Sequence, residues 1–493
     1  MVSISRRLLF GAHAEANGAA NATLLYCMVQ RSADMAMLSF CLGEARSDCP
    51  VAEGGQCRIV MPWSRGHVAS PRRFSINTGD SPSLPLAEER LPPGQELLFP
   101  QETLSQRPSI MLRSALFAAV SALSLSLTSA LETFDRKLIF QPPSNYTDPR
   151  VLYPRTVQLT DGRLLATWEN YSPEPPLVWH PIYESTDGGL SWGEVGRVTD
   201  QVNGWGLRYQ PFLYELRQDF GGFPAGTVLA ASNSIPTDLS QTRIDVYASL
   251  DKGRTWEFVS HVASGGRAIP NNEETPVWEP MIIIYEDELI LYYADQRSAE
   301  HGQEISHQTT KDLRSWSDVV IDISEPRYTD RPGMPYVAKL PKGDYIYAYE
   351  WGGADILTPY TFPLYYRIAA DPRRFADAEP LYINATNRNP VPGGAFPISS
   401  PVVVWSPVGG CHGSIIVSSG SKDLYINTEG GAPDAWLAYT VPEDAAYTRH
   451  IRVMEEDPDF LLIMGAGKLP PSTTNKVTVS MVRISDLLKQ TKA

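Results

Sequence analysis

The chain has 493 residues, a net charge of −14 from 42 basic and 56 acidic residues, and five cysteines. The basic residues do not cluster, which argues against a nucleic-acid partner. No Gly-rich phosphate loop joins a strand to a helix and no G-x-S-x-G elbow occurs, which argues against phosphoryl transfer and serine hydrolysis.

Residues 1–110 show no sustained apolar periodicity and hold Cys27, Cys41, Cys49 and Cys57. They end in the Pro-, Glu- and Ser-rich stretch 81–109. No packed domain is expected there. The segment reads as a disordered extension or gene-model artefact, with a leader stapled by two disulfides as the alternative. Met111, Arg113, the apolar run from Ala115 to Leu127 and the small residues Thr128, Ser129 and Ala130 have the order of a secretory signal peptide. Its core, at about a dozen residues, is too short for a membrane span. Cleavage is expected before Leu131. The mature protein, 131–493, is then secreted and extracellular, with one cysteine, Cys411, and sequons at Asn145, Asn170 and Asn384.

From Tyr153 onward one pattern recurs six times: a proline or arginine step, an apolar run, a turn and a second apolar run. The copies begin at Tyr153, Tyr209, Trp278, Gly333, Ser399 and Tyr447, spaced 48–69 residues apart. Strand-turn-strand units at such a period predict an all-β fold, a six-bladed β-propeller. Between copies lie STDGGLSW (185–192) and SLDKGRTW (249–256), both S-x-D-x-G-x-x-W, a shortened TTKDLRSW (309–316) and a looser NTEGGAPDAW (427–436). Asp accepts turn hydrogen bonds, Gly takes positive φ and Trp packs beneath. These segments resemble the Asp box of sialidase-like propellers, a structural turn joining outer strands. VTVSMVRI (477–484) and KLIFQPP (137–143) are expected to pair and close the ring.

In an antiparallel hairpin the start of the first strand and the end of the second share one end. One mouth of the channel should therefore collect Arg155, Gln210, Glu279, Arg331, Met334, Ser400, Tyr447 and Arg449 from the openings. The closings add Glu169, Asn170, Asn233, Asp295, Glu350 and Gly465. Glu279, between Trp278 and Pro280, and Glu350, between Tyr349 and Trp351, are carboxylates among aromatics, costly to hold without a purpose. Two facing carboxylates on blades three and four suit glycosidic cleavage. His301 and His307 in HGQEISH lack a third ligand at zinc spacing, so the stretch reads as a substrate-facing loop; no metal and no cofactor are expected.

The segments YPR…DGRLLATWENYSPEP (153–175), VWEPM (277–281), YYADQR…HGQ (292–303), RPGMP (331–335) and YAYEWGG (347–353) resemble glycoside hydrolase family 93. The resemblance spans 135–488. It implies a six-bladed sialidase-like propeller and retaining release of arabinobiose from the non-reducing end of linear α-1,5-L-arabinan. The family's catalytic glutamates fall on Glu279, assigned as nucleophile, and Glu350, assigned as acid/base. Tyr447 is expected beside the developing cation. Trp168, Tyr171, Trp278 and Trp351 are expected as stacking walls. Asn170, Asn233, Asp295 and Arg331 are expected to bond sugar hydroxyls, with Arg155 and Arg449 also at the mouth. The expected partner is an arabinan or arabino-oligosaccharide, not a membrane, and the protein is expected to be monomeric. Two other readings stay open: a sialidase or other exo-glycosidase on the same propeller, and a non-catalytic carbohydrate-binding propeller.

Overall fold

A computed structural model describes the strands at 9–12, 25–31 and 34–40 and the continuous stretch 131–490. The chain divides into two units, Met1–Ser126 and Leu127–Ala493. In the first, Leu9–Ala12, Leu25–Arg31 and Asp34–Phe40 pair antiparallel in one sheet, which the sequence reading does not anticipate. The rest of 1–110 and residues 111–130, expected to be a signal peptide, lie outside the described residues.

The second unit is the expected propeller: six four-stranded antiparallel sheets. Blade one comprises Val151–Gln158, Leu164–Asn170, His180–Ser185 and Gly193–Val198, and blade two Leu207–Glu215, Val228–Ser234, Thr242–Ser249 and Glu257–Gly265. Blade three is built from Val277–Tyr285, Glu288–Asp295, Glu304–Thr310 and Val320–Ile323. Blade four contains Arg331–Lys339, Tyr345–Gly352, Leu364–Ala369 and Leu381–Tyr382. Blade five follows with Val402–Ser406, Ser414–Ser418, Asp423–Asn427 and Trp436–Thr440. Blade six takes Arg449–Val453, Phe460–Gly465 and Val477–Arg483 from the end of the chain and Phe134–Phe140 from its beginning. The closing strand starts three residues earlier than its sequence pattern suggests, because Phe134 is buried and packs with Phe460 and Met481.

The two inner strands of each blade read as apolar runs because both faces are covered by neighbouring blades. Phe134, Leu164, Phe460 and Val477 pack together between blades six and one. Val157, Leu213, Tyr247 and Trp256 pack between blades one and two. A larger cluster runs on through blades two to six. At the far end, the third and fourth strands of blade one are joined by a turn in which Asp187 accepts from Ser185 Oγ and Ser191 N. There Trp192 Nε1 donates to Gly189 O. Blade two repeats this arrangement with Ser249, Asp251, Thr255 and Trp256.

The proline step has a structural cause. Tyr153, Gln210, Glu279, Met334 and Ser400 each precede a proline and each has φ between 53° and 64°. In blades one to four the ladder shifts at this point. Each x-Pro pair there lies opposite a single residue of the second strand: Trp168, Ser232, Tyr293 and Tyr349. These are β-bulges, which interrupt pairing where proline lacks a donor and turn a side chain out of the strand's alternation. In blade six Arg449 pairs regularly with Gly465, and no such step occurs.

Candidate active site

The bulges aim side chains into one mouth of the channel. Glu279, in the bulge of blade three, is 8% exposed, and its Oε2 accepts the main-chain N–H of Met334 at 2.6 Å. Glu350, closing the second strand of blade four, is also 8% exposed; its Oε2 accepts the N–H of Ser400 at 2.8 Å. Each carboxylate is thus tied to the left-handed residue of the next blade. Burial pushes both carboxyls above the ordinary range, Glu279 to about 7 and Glu350 to about 8, with the charge of Glu279 adding to the effect on Glu350. Arg331 acts in the other direction on both.

Tyr447 is half-buried against an apolar floor of Leu152, Tyr153 and Met334, with Tyr171 at its side. Its hydroxyl is held well above its ordinary pKa by burial and by the charges of Glu350 and Glu279, so it faces the pair as a neutral phenol. Arg331 donates to Asn272 Oδ1, Gln296 Oε1 and Gln303 Oε1, which fixes its guanidinium at the mouth. The Arg155 guanidinium stacks 4.0 Å from the Tyr153 ring centroid and faces Glu279. The structure therefore brings Glu279, Glu350, Tyr447, Tyr171, Arg155 and Arg331 together.

Of the other expected residues, Trp168, Asn170 and Arg449 turn away from this cluster. Trp168 is fully buried and stacks on Phe140, 5.5 Å between centroids, and on Tyr183. It is not a wall of the mouth, because strand alternation sends its neighbour Glu169 to the channel and Trp168 between blades. The same alternation turns Asn170 away, buried and bonded to Tyr146. Arg449 is fully buried and donates to the carbonyls of Ser419, Lys422 and Asp423, making it a clamp on blade five rather than a sugar contact. Asp295 is engaged by Arg297 and Asn233 by Gln210. Trp278 donates to Gln296 and packs beside Tyr209. Trp351, half-buried, leans on Tyr365 at 4.8 Å.

Glu169 is the site carboxylate that sequence reasoning left among the mouth residues without a role. It is 4% exposed, accepts from Tyr171 O–H at 2.7 Å and Gln210 N–H at 3.0 Å, and burial lifts it to about 7. Its signal was available: like Glu350, it closes a second strand beside a tryptophan. No group of three metal-ligating side chains is assembled among the described residues. His301 bonds Glu325 O, while His307 pairs with buried Asp322.

No protein-family model and no curated protein matches the chain. Among solved structures it is similar to the family 93 α-L-arabinofuranosidase of Fusarium graminearum in complex with arabinobiose, at 52% identity over 72% of this chain and 99% of that one, with a TM-score of 0.70. A glutamate-to-alanine mutant of that enzyme with an iminosugar inhibitor matches equally. The Penicillium chrysogenum α-L-arabinanase with arabinobiose is 50% identical over 72% of this chain and 100% of that one, also at a TM-score of 0.70. Half of all positions are shared across the whole of these relatives, and Glu279 and Glu350 meet at one mouth: the chain is a glycoside hydrolase and belongs to glycoside hydrolase family 93.

Proposed function

We propose that the protein is a secreted, exo-acting arabinan hydrolase that releases arabinobiose from the non-reducing end of linear α-1,5-L-arabinan with retention of configuration. The observation that carries this reading is the buried Glu279–Glu350 pair held on adjacent blades. Both relatives named above bind arabinobiose.

Chemistry at the pair follows from electrostatics. Glycosidic cleavage needs one protonated and one ionised carboxyl. Glu350 is raised further, through burial and the Glu279 charge, and is the proton donor to the leaving oxygen. Glu279 attacks the anomeric carbon as the C–O bond breaks, forming a glycosyl ester. Glu350, now ionised, then takes a proton from water, whose oxygen displaces Glu279. Tyr447 lines the side where positive charge develops. A neutral pentose needs no cluster of arginines, and the two at the mouth, Arg155 and Arg331, instead face the carboxylates.

Two observations fit secretion. The ring-closing strand begins at Phe134, so cleavage before Leu131 leaves its pairing with Val477–Arg483 intact. Of the sequons, Asn145 is exposed and Asn384 half-buried, and both suit glycan attachment, whereas Asn170 is buried.

The test is product analysis on debranched linear arabinan, with a sialoside as control, for the wild type and Glu350→Ala. Arabinobiose as the sole early product, lost in the variant, is expected. Cleavage of the sialoside alone, or a ladder of longer oligosaccharides, overturns the reading. Proton NMR of the first-formed anomer decides retention.

A further inference from the structure

Glu169 lies on blade one, across the mouth from Glu350, and has no part in the two-carboxylate chemistry above. Its Oε1 accepts the main-chain N–H of Gln210 at 3.0 Å. The Gln210 side chain continues the chain: its Oε1 accepts the main-chain N–H of Glu279 at 3.0 Å and the Asn233 amide at 2.8 Å. Both links end on left-handed bulge residues, Gln210 at φ 57° and Glu279 at φ 64°. A non-glycine residue in that region is strained and persists only where its surroundings fix it.

We propose that Glu169 is a positioning residue for Glu279, acting through the Gln210 side chain on its backbone and through space on its charge. The inference rests on the reading of Glu279 as a reacting carboxylate.

The anchor runs blade to blade. Glu169 fixes the Gln210 backbone, Gln210 fixes the Glu279 backbone, and Glu279 fixes Met334. Displacing the first member shifts the bulge that aims the nucleophile, and sub-ångström aim matters to rate. The electrostatic link is direct as well. Around Glu169 lie Arg155, Tyr153, Tyr171, Tyr209, Tyr447 and Glu279. Around Glu279 lie Arg155, Arg331, Tyr153, Tyr447, Glu169 and Glu350. Arg155 is thus shared, and like charge on Glu169 favours the neutral form of Glu279.

The experiment compares pH profiles of kcat/KM on linear arabinan for the wild type, Glu169→Gln, Glu169→Asp and Gln210→Leu. Glu169→Gln keeps an oxygen for Gln210 N–H but removes the charge. The acidic limb, where Glu279 must ionise, is expected to move to lower pH by about half a unit or more. Glu169→Asp keeps the charge but withdraws the carboxylate; kcat falls while the limb stays. Gln210→Leu removes the acceptor and lowers kcat about tenfold with little change in KM. A Glu169→Gln limb that stays in place, or a Gln210→Leu effect confined to KM, overturns the proposal. A variant that does not fold by circular dichroism is replaced by the other Glu169 substitution, whose expected result differs. Failure of the wild type to cleave arabinan instead sinks the function proposed above, so the two failures are distinct.

Discussion

Glu350 Oε2 accepts the main-chain N–H of Ser400 at 2.8 Å, so the carboxyl of blade four is anchored to the backbone of blade five. Hydrogen bonds from the Ser400 backbone and the Ser399 side chain do not offset its burial, and its pKa rises from 4.5 to about 8, with Glu279 contributing. The folded state therefore holds this proton more tightly than the unfolded chain does. Stability from this group is fully present below 4.5 and is lost as pH rises through about 8. Glu279 and Glu169 act with the same sign between 4.5 and about 7. The wild type should melt highest in mild acid and lower toward pH 8. Glu350→Gln keeps an acceptor for Ser400 without the charge, and should be about 1–3 kcal/mol more stable than the wild type at pH 8 but near equal at pH 5. Melting curves at the two pH values decide this; a gap independent of pH contradicts it.

Glu350→Ala should lower kcat on arabinan by about 10²–10⁴-fold, the usual worth of a general acid. The loss should shrink on an aryl glycoside whose leaving group needs no proton. Azide should then restore turnover as the glycosyl azide, since it needs no general base. If the loss is the same for both leaving groups, Glu350 is not the proton donor.

The propeller was legible because its physics is local and repeated: apolar runs covered on both faces, turns between them, and a proline step on the first inner strand of blades one to five. The pair Glu279 and Glu350 was legible for the same reason, since aligned copies place equivalent residues at one mouth. What alignment missed is the direction of individual side chains. Trp168 and Asn170 stand beside Glu169 in sequence, but a period of two turns them from the channel. Arg449 opens blade six as Arg155 opens blade one. Blade six lacks the x-Pro bulge, so its arginine turns to the carbonyls of blade five. The bulges themselves, which aim Glu279, depend on backbone dihedrals that the letters x-Pro hint at without specifying.

Arg449 gives a sharp division between the two accounts of that residue. As a buried clamp it donates to four carbonyls, those of Ser419, Lys422, Asp423 and Glu443, at 2.6–3.5 Å. Arg449→Ala leaves those acceptors without their donor and empties a large buried volume. The expected cost is about 3–5 kcal/mol of unfolding free energy, with KM of the surviving folded enzyme unchanged. Denaturant titration and steady-state kinetics on one preparation check both. A raised KM at unaltered stability would return Arg449 to the sugar site.

Phe134–Phe140 supplies the outer strand of a blade whose other three strands come from the opposite end of the chain. It closes the ring by hydrogen bonds to Val477–Arg483 and by burying Phe134 against Phe460 and Met481. A chain starting at Leu131 keeps all of this and should match the full-length protein in melting temperature and activity. A chain starting at Gln141 leaves Val477–Arg483 as an open edge with its apolar face uncovered. Open edges pair with other chains. This shorter protein should be recovered mainly as aggregate, and its soluble fraction should melt well below the longer one. Adding the peptide 131–140 in trans should recover part of the loss, because the missing strand contributes pairing and no chemistry. Size-exclusion profiles of the two truncations provide the check; equal monomer yields would mean the ring is held closed without its N-terminal strand.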